Sequence, residues 1–303
     1  MKRLLPFFVR PSQYLGNEIN SVHKDKREVL VHIALAFPDL YEVGMAYMGQ
    51  KILYEIVNAR AEFWAERVFA PSKEVAEILR SRDIPLATLE SDTPLKELDC
   101  VCFSLTHELA YTNVLYMLDL AKIPLRAGSR DQDFPLVIAG GGATFNAEPL
   151  APFLDLMVIG DGEEILVQIL EEIKQGKASG ASRREILERL RFYPGVYIPA
   201  FFEPSAENPH RLVPVYADYT RVEKNIVTDL NEVAFPAKQI IPFGKVVHDR
   251  LVVEIARGCT RGCRFCQAGM IYRPVRERDV DNIARIIEQG LDQTGFEDLS
   301  FLS

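Results

Sequence analysis

The sequence predicts an α/β protein built on a parallel sheet, and three observations lead to that prediction. Strand-like and helix-like segments alternate from residue 30 to residue 174. A separate strand, loop, helix and strand pattern follows residue 250. Such alternation is typical of parallel sheets covered by helices, which bind ligands at the carboxyl ends of their strands. Polar or glycine-rich loops fall at those ends, at residues 38–50, 104–108, 140–147 and 160–164.

The elements of the first region follow from apolar runs and their periodicity. Short apolar runs predict strands at 29–37, 66–70, 84–89, 100–105, 136–139 and 154–159. Longer segments predict helices at 47–59, 72–81 and 107–121, and a further helix after residue 164 that ends near Lys174. In the helix at 47–59 the apolar stripe consists of Ile52, Leu53, Ile56 and Val57.

The second half of the chain changes in character. Residues 175–182 (QGKASGAS) predict a flexible break, and 195–247 hold short strand-like pieces among several prolines. The run at 251–256 predicts a strand, and a helix at 279–293 ends before Gly295. Its apolar stripe is Ile283, Ile286, Ile287 and Leu291, and a last strand begins at Leu299. The predicted organisation is an extension at 1–29, a sheet domain at 30–175, a connector at 176–247 and a further unit at 248–303.

Composition narrows the function classes. The chain has 303 residues, enough for about two domains, and a net charge of -8, which argues against a general nucleic-acid binder. The charge is uneven, because residues 250–278 hold seven arginines and two acids. The N-terminus lacks a signal-peptide pattern and no apolar run reaches the length of a membrane span, so we expect a cytoplasmic protein with no membrane partner. Clustered cysteines in that compartment more often bind metal than form disulfides.

Three of the five cysteines lie in RGCTRGCRFCQ, at Cys259, Cys263 and Cys266. Structural zinc sites usually close with four ligands, and His248, eleven residues upstream of the first cysteine, is a poor fourth. Three thiolates would instead leave one iron of a 4Fe–4S cluster open to a small molecule. Arginines in and beside this loop (Arg257, Arg261, Arg264) are expected to offset the charge of such a cluster. The other two cysteines, Cys100 and Cys102, are expected to pack in the core as small hydrophobes.

The pattern Cys259-x-x-x-Cys263-x-Phe265-Cys266, directly after a strand, resembles the signature of the radical S-adenosylmethionine (SAM) superfamily. The resemblance implies that the three cysteines ligate a 4Fe–4S cluster and that Phe265 belongs to the cofactor-binding loop. It further implies that the amine and carboxylate of SAM chelate the fourth iron. One electron, from a reductant such as flavodoxin or ferredoxin, would then cleave SAM to a 5′-deoxyadenosyl radical.

Residues 30–174 are similar in layout to the cobalamin-binding domain that precedes the barrel in several branches of this superfamily. That family's first motif, Asp-x-His-x-x-Gly, corresponds to Asp39, Tyr41 and Gly44, so a tyrosine stands where the family has its cobalt-ligating histidine. A phenol is a poor substitute for imidazole near neutral pH. Cobalamin could bind without a protein ligand below cobalt, or the domain could hold a substrate or only pack against the barrel.

Two further motifs of the cobalamin-binding domain have counterparts in this chain. Ser104, with Leu105, resembles the second motif, and Gly140 with Gly141 resembles the third. The turn Gly160-Asp161-Gly162-Glu163 resembles the acidic glycine turn near the end of such domains. The resemblance therefore places Ser104, Gly140 and Gly141 among the candidate cobalamin contacts, although any tight strand-to-helix turn also requires glycine.

The whole chain resembles an uncharacterised branch that joins such a domain to a radical SAM barrel of the partial TIM type. That barrel has about six strand–helix units, of which this sequence shows one and the start of a second strand. We therefore expect an N-terminal fragment that is inactive alone. The substrate is unknown, and methyl or methylthio transfer, rearrangement and sulfur insertion remain open. The alternative is a non-catalytic zinc or iron–sulfur module that positions a partner such as RNA, to which the basic run RPVRER (273–278) could contribute.

Overall fold

The computed structural model describes residues 1–244 and 246–303. Its central sheet has six strands: β1 (Val31–Phe37), β2 (Phe63–Phe69), β3 (Cys100–Ser104), β4 (Leu136–Gly140), β5 (Leu156–Val158) and β6 (Val196–Tyr197). The spatial order is β2-β1-β3-β4-β5-β6, with five parallel strands and β6 antiparallel to β5. This arrangement confirms the predicted α/β fold with a Rossmann-like parallel sheet.

In the described part of the chain six helices accompany the sheet: α1 (Tyr41–Gly44), α2 (Met48–Asn58), α3 (Lys73–Ser81), α4 (Tyr111–Leu120), α5 (Glu163–Ser179) and α6 (Arg183–Leu190). They cover the sheet, and for this reason β1 is buried along nearly its whole length. Short 3-10 helices occupy Lys2–Phe7, Pro11–Tyr14, Leu95–Glu97, Glu108–Ala110, Ala127–Ser129, Gly142–Asn146, Ala151–Phe153 and Pro199–Phe201. No helix in the described residues is long and apolar enough to cross a membrane.

The order of the strands locates the edge where a ligand would bind. The chain passes from β1 outward to β2 and then returns to the other side of β1 to form β3. Connections therefore leave the carboxyl ends of β1 and β3 in opposite directions, which opens a crevice between them. The four polar or glycine-rich loops predicted from the sequence lie at this carboxyl edge, so that prediction is confirmed.

The predicted strand at 84–89 is wrong. Leu86 and Leu89 are buried, but the segment makes only an isolated bridge, from Ala87 to Pro94. Its backbone donors are satisfied individually, because Leu86 N donates to Leu120 O and Leu89 N donates to Arg67 O. An apolar run of this length therefore packs in the core as irregular chain.

The predicted flexible break at 175–182 is also wrong. Helix α5 continues to Ser179 and ends at Gly180, which has the left-handed conformation (φ 65°) typical of a helix terminus. Helix α6 starts three residues later, capped by Ser182 and Glu185 in a reciprocal capping box. Gly176 lets the helices approach, since a Cβ there would lie 2.6 Å from Ile186 Cδ1. The segment is a tight turn between packed helices.

Beyond β6 the chain forms an antiparallel pair, β7 (Phe202–Pro204) and β8 (Leu212–Pro214), and then crosses back toward the sheet without regular structure. The last unit contains β9 (Leu251–Glu254), β10 (Ala256–Arg257), α7 (Ala268–Ile271), β11 (Arg276–Glu277), α8 (Val280–Thr294) and β12 (Leu299–Leu302). Strand β12 pairs in parallel with β9, and Gly295 ends α8 with a φ of 69°. The predicted strand, loop, helix and strand unit is thus confirmed.

This last unit has its own small core. Leu251 and Val253 of β9 are fully buried against Ile286 of α8. Ile283 and Ile287 pack on the same cluster, as the predicted apolar stripe requires. Leu291, the last member of that stripe, is 37% exposed and lies at the edge. The sheet domain has a separate and larger core. The two units contact each other through ion pairs and through the packing of Ile271 and Tyr272 beside Gly142, and a cavity lies between them.

Candidate functional site

The cysteine loop connects β10 to α7 and is closed at its base by a two-stranded antiparallel pair. In that pair Arg257 lies opposite Arg276. Gly258 follows with a φ of 101°, and a Cβ at this position would lie 2.6 Å from Tyr272 O and 2.8 Å from Pro274 O. Only glycine fits this close crossing of two backbone segments. The chain therefore enters Cys259 along a fixed path.

The three cysteines of the loop are accessible thiols. Cys263 is exposed, Cys259 and Cys266 are half-buried, and none is in a disulfide. Arg261 N donates to Cys259 Sγ at 3.5 Å, and Cys266 N donates to Cys263 O at 3.1 Å. Within the described residues no three His, Cys, Asp or Glu side chains converge as a ready metal site. Three free thiols in eight residues suit an iron–sulfur cluster chemically, and the loop has to close for them to meet one.

The remaining side chains of the loop face solvent. Phe265, which the resemblance places in the cofactor-binding loop, is 91% exposed. Arg261 and Arg264 are also exposed. The third arginine expected to offset cluster charge behaves differently, because Arg257 is largely buried.

Arg257 is bound by three carboxylates. Its Nη1 lies 2.9 Å from Asp161 Oδ1, its Nη2 lies 2.6 Å from Glu163 Oε1, and its Nε lies 2.9 Å from Glu254 Oε1. Burial would lower the pKa of Arg257, but Glu254 and Glu163 outweigh it and hold that pKa above its ordinary value. The charge of Arg257 is thus already paired with carboxylates, and the expectation that it offsets the charge of a cluster stays a prediction.

Two of the three arginines in the basic run at 273–278 are buried and make internal contacts. Arg276 Nη1 binds the Asp161 carboxylate and donates to Val227 O at 2.7 Å. Arg278 Nη1 donates to Leu230 O. Both arginines are buried, so neither is available to a polyanion. Arg273, the third arginine of the run, is exposed and donates from Nε to Gly269 O at 2.7 Å. A contribution of this run to RNA binding stays a prediction.

Asp161 is the residue on which these contacts converge. Its carboxylate accepts from Arg257, Arg276 and the backbone N–H of Val227, the last at 2.9 Å. Burial would raise the pKa of Asp161, but the two arginines and the Val227 N–H outweigh it and hold the pKa below its usual value of 3.8. The side chain therefore stays ionised at neutral pH.

A cavity of about 600 Å³ lies between the carboxyl edge of the sheet and the cysteine unit. Its volume is in the range of small-molecule and cofactor sites. The sheet contributes mostly apolar groups, which include Leu35 of β1, Cys102 of β3 and Ile138 of β4. The opposite wall includes Arg257 and Cys259. The first cysteine of the loop thus opens onto the crevice at the β1/β3 switch point.

Three of the residues that the resemblance assigns to cobalamin line this cavity: Ser104, Gly140 and Gly141. Gly141 has a φ of 109°, and a Cβ there would lie 2.4 Å from Leu105 O. This glycine is required by the turn itself, so its presence alone does not identify a ligand. Gly140 has open space beside it, since its nearest contact would be Val158 Cβ at 3.8 Å.

The other three, Asp39, Tyr41 and Gly44, are not among the residues described as lining the cavity. Gly44 packs under Phe69, where a Cβ would lie 2.3 Å from the ring. The Tyr41 hydroxyl donates to Glu18 Oε1 at 2.9 Å, and both residues are buried. Tyr41 therefore points into the N-terminal extension, and the residue at the position of the family's cobalt-ligating histidine does not line this cavity.

Cys100 and Cys102 pack in β3 as expected from the sequence. Both are buried, and their Sγ atoms are 3.5 Å apart. Burial, followed by the contact with Cys102, raises the pKa of the Cys100 thiol well above its ordinary value. Cys100 therefore remains a thiol at neutral pH. Cys102 also lines the cavity.

Sequence reasoning missed the ionic contacts between the two units. Asp161 and Glu163 belong to a turn recognised in the sequence, and Arg257 to the cysteine loop, but nothing in the sequence paired them across 96 residues. It also missed Glu18 and Arg67, which meet at 2.8 Å beside Tyr41. An excess of arginines around the cysteines was the one available signal.

Comparison with known proteins decides the family. The family model described as "Radical SAM proteins, N-terminal" matches residues 49–199, about half of the chain. The chain belongs to the radical SAM proteins. Within this radical SAM protein the matched segment comprises most of the sheet domain, and the cysteine loop lies C-terminal to it.

The relatives of this radical SAM protein are distant. An uncharacterized protein of Methanocaldococcus jannaschii is 22% identical over 270 residues, covering 87% of this chain and 47% of its own length. The chain therefore spans about half the length of this curated relative. The family is shown by the domain match, and this likeness adds no substrate.

Two solved structures share the fold. OxsB, a cobalamin-dependent SAM radical enzyme with aqua-cobalamin bound, superposes with a TM-score of 0.55 at 12% identity, over 99% of this chain and 39% of its own. TsrM, a radical SAM methyltransferase from Kitasatospora setae with cobalamin and a [4Fe-4S] cluster bound, gives a TM-score of 0.50 at 11% identity. That match covers 89% of this chain and 47% of TsrM. These similarities show a shared fold.

Proposed function

We propose that this chain provides the cluster-binding region of a radical SAM enzyme. Cys259, Cys263 and Cys266 hold a 4Fe–4S cluster in this proposal, and SAM takes the open iron. When bound and reduced, the cluster supplies the electron that cleaves SAM to a 5′-deoxyadenosyl radical. The observation that carries the proposal is the position of three accessible thiols in one loop, the first of which opens onto the cavity.

The chain's own residues would shape where this chemistry occurs. The apolar groups at the sheet edge exclude water from one wall of the cavity. Ser104 and the open side of Gly140 leave space for an organic group opposite Cys259. The carboxylates of Asp161, Glu163 and Glu254, which line the cavity, are paired with Arg257, Arg276 and Arg278, so formal charge is balanced at that point. A largely apolar or neutral substrate portion suits these surroundings best.

A second candidate function is cobalamin-dependent methyl transfer. It is favoured by the cobalamin in the OxsB and TsrM structures and by the position of the cavity at the carboxyl edge of the sheet. A corrin here would rest on Ser104, Gly140 and Gly141, and it would receive no ligand from Tyr41. Without cobalamin, methylthio transfer or hydrogen abstraction with rearrangement remains. Retention of corrin absorbance after hydroxocobalamin is added and the protein is desalted distinguishes these classes.

The test of the main proposal is spectroscopic. The complete gene product is reconstituted anaerobically with iron and sulfide, reduced with dithionite, and examined by electron paramagnetic resonance with and without SAM. The proposal expects a 4Fe–4S signal that changes on adding SAM, and its loss in Cys263→Ala. Bound zinc without acid-labile sulfide would instead indicate a non-catalytic module. A reductant such as flavodoxin or ferredoxin replaces dithionite in the physiological reaction under this proposal.

A further inference from the structure

Both backbone segments that flank the cysteine loop are bound to a single turn of the sheet domain. This turn, residues 160–163, is called the acidic turn below. On the entering side, Arg257 binds Asp161 and Glu163. On the returning side, Arg276 binds Asp161. The two arginines also lie opposite each other in the β10–β11 pair, so one carboxylate joins both strands at the base of the loop.

The connector also contacts the acidic turn and the end of α7, through Lys224 and Asn225. Asn225 pairs with the backbone of the acidic turn, since Asp161 N donates to Asn225 O at 3.0 Å and Asn225 Nδ2 donates to Asp161 O at 2.7 Å. Asn225 N donates to Ile159 O, just before the turn, at 2.9 Å. Lys224 Nζ donates to Ile271 O at 3.1 Å, at the end of α7. These hydrogen bonds hold the acidic turn in place independently of its contacts with the arginines. A rigid support of this kind can transmit its position to the loop.

The loop itself is anchored at its ends and free in its interior. Arg257 precedes Cys259 by two residues, and Arg257 is fixed by three carboxylates. In contrast, Cys263 is exposed. Gly262, in the interior of the loop, has a φ of 65°, and a Cβ added to it would have only the distal end of the Arg273 side chain within 4 Å. The three thiols have to move together to hold a cluster. Fixed ends confine that movement to one place, at the wall of the cavity.

We infer that Asp161 is a positioning residue for the cluster loop, assisted by Glu163. The acidic turn, in the sheet domain, sets where the thiols of a separate unit meet, and so fixes the cluster against the cavity. This inference rests on the proposed function. Asp161 also lines the cavity, and in this inference it acts on the loop through Arg257 and Arg276. Polar partners that orient metal ligands from outside are known to affect metal affinity by roughly 10- to 100-fold.

The charges around Asp161 predict the sign of the change in the midpoint potential of the cluster. In the described residues the guanidinium groups of Arg257, Arg276 and Arg278 face the carboxylates of Asp161, Glu163 and Glu254, so formal charge is balanced. Replacing Asp161 by asparagine leaves one positive charge in excess beside Cys259. Positive charge near a cluster stabilises its reduced form, so the midpoint potential is expected to rise.

The chain offers a closely matched control. Asp155 is also buried, also binds two arginines (Arg130 at 3.1 Å and Arg183 at 2.7 Å), and also accepts a backbone N–H, from Val137 at 2.7 Å. It lies immediately before β5, and its partners, Arg130, Val137 of β4 and Arg183 of α6, are all outside the cysteine unit. Asp155→Asn therefore removes an equivalent buried charge without touching the cysteine loop.

The experiment compares Asp161→Asn with Asp155→Asn in the reconstituted complete gene product. For Asp161→Asn we expect iron to be lost to a chelator roughly tenfold faster than from the wild type. We also expect a higher midpoint potential and an altered paramagnetic resonance spectrum in the presence of SAM. Asp155→Asn is expected to match the wild type in all three readouts. Equal behaviour of the two variants would overturn the inference.

A second variant and a second readout keep the test decisive. Glu163→Gln removes a carboxylate that, in the described residues, forms an ion pair with Arg257 alone. This variant replaces Asp161→Asn in the experiment if Asp161→Asn is insoluble. The rate at which iodoacetamide alkylates Cys259 and Cys266 in the cluster-free protein reports the freedom of the loop without any cofactor. It should rise in Asp161→Asn and Glu163→Gln and stay unchanged in Asp155→Asn. If the wild type binds no cluster, the proposed function fails, while the alkylation rates still judge the positioning role.

Discussion

The hydroxyl of Tyr41 donates a 2.9 Å hydrogen bond to the carboxylate of Glu18, and both side chains are buried. Glu18 is also bound by Arg67 Nη2 at 2.8 Å, and burial, which would raise the pKa of Glu18, is outweighed by Arg67, so that pKa is lowered. Tyr41 thus helps satisfy a buried charge under the N-terminal extension. The residue at the position of the family's cobalt-ligating histidine serves the folded state here.

Tyr41→Phe is expected to lower the free energy of unfolding by about 1–3 kcal/mol, because an ionised and buried carboxylate loses one of its donors. The midpoint of urea denaturation measures the change. Tyr193→Phe is the control, since its hydroxyl donates to Glu172 at 2.7 Å in a half-exposed position. That variant should change stability by no more than about 0.5 kcal/mol. Similar losses in both variants would show that Tyr41 has no special structural role.

A second prediction concerns the turn after β4. Gly141→Ala places a Cβ where the backbone has a φ of 109° and where Leu105 O would be 2.4 Å away. Strain at such a position costs about 1–3 kcal/mol, and the clash adds to it. We therefore expect a loss of at least about 2 kcal/mol by urea denaturation. Gly128→Ala is the control, because an added Cβ there meets nothing within 4 Å; a comparable loss in that variant would contradict the argument.

Local patterns in the sequence were sufficient for most of the fold. Alternating apolar runs gave the strands of the sheet, and the stripe of Ile283, Ile286 and Ile287 gave α8, because each element buries one continuous face. The prediction of a strand at 84–89 was wrong, because Leu86 and Leu89 are buried without belonging to a sheet. A short apolar run shows that a segment is buried and leaves its secondary structure open.

The candidate site was predictable only in part. Cysteine spacing identified the loop, because the ligands of a cluster lie close together in the chain. The contacts of Asp161 with Arg257 and Arg276 join residues that are far apart, so they depend on how the two units pack. The orientation of Tyr41 depends on Glu18, which comes from the N-terminal extension. Single-sequence patterns carry no information on such pairings.

The third prediction is a pH dependence that arises from Asp161. Its pKa is held below 3.8, the unfolded value, so its contribution to stability is complete above that pH and is lost as the pH falls through the lower, folded value. At pH 7 we expect Asp161→Asn to be less stable than the wild type by about 3 kcal/mol, as for a broken buried ion pair. This difference should shrink below pH 3.8. A difference that stays constant from pH 7 to pH 3 would exclude Asp161 as the titrating group; denaturation at each pH measures it.

The last prediction separates the two groups of cysteines. Cys263→Ala removes an exposed thiol from the loop, and it should abolish the 4Fe–4S absorbance and acid-labile sulfide of the reconstituted protein. Cys102→Ala should retain both, because Cys102 and Cys100 pack together in β3 and Cys100 is held as a thiol by burial. Its cost should be confined to stability, at about 1 kcal/mol for a small buried group. Iron and sulfide assays on the two variants decide the matter: equal loss in Cys102→Ala would mean that the cluster draws on β3, and equal retention in Cys263→Ala would mean that the loop does not hold it.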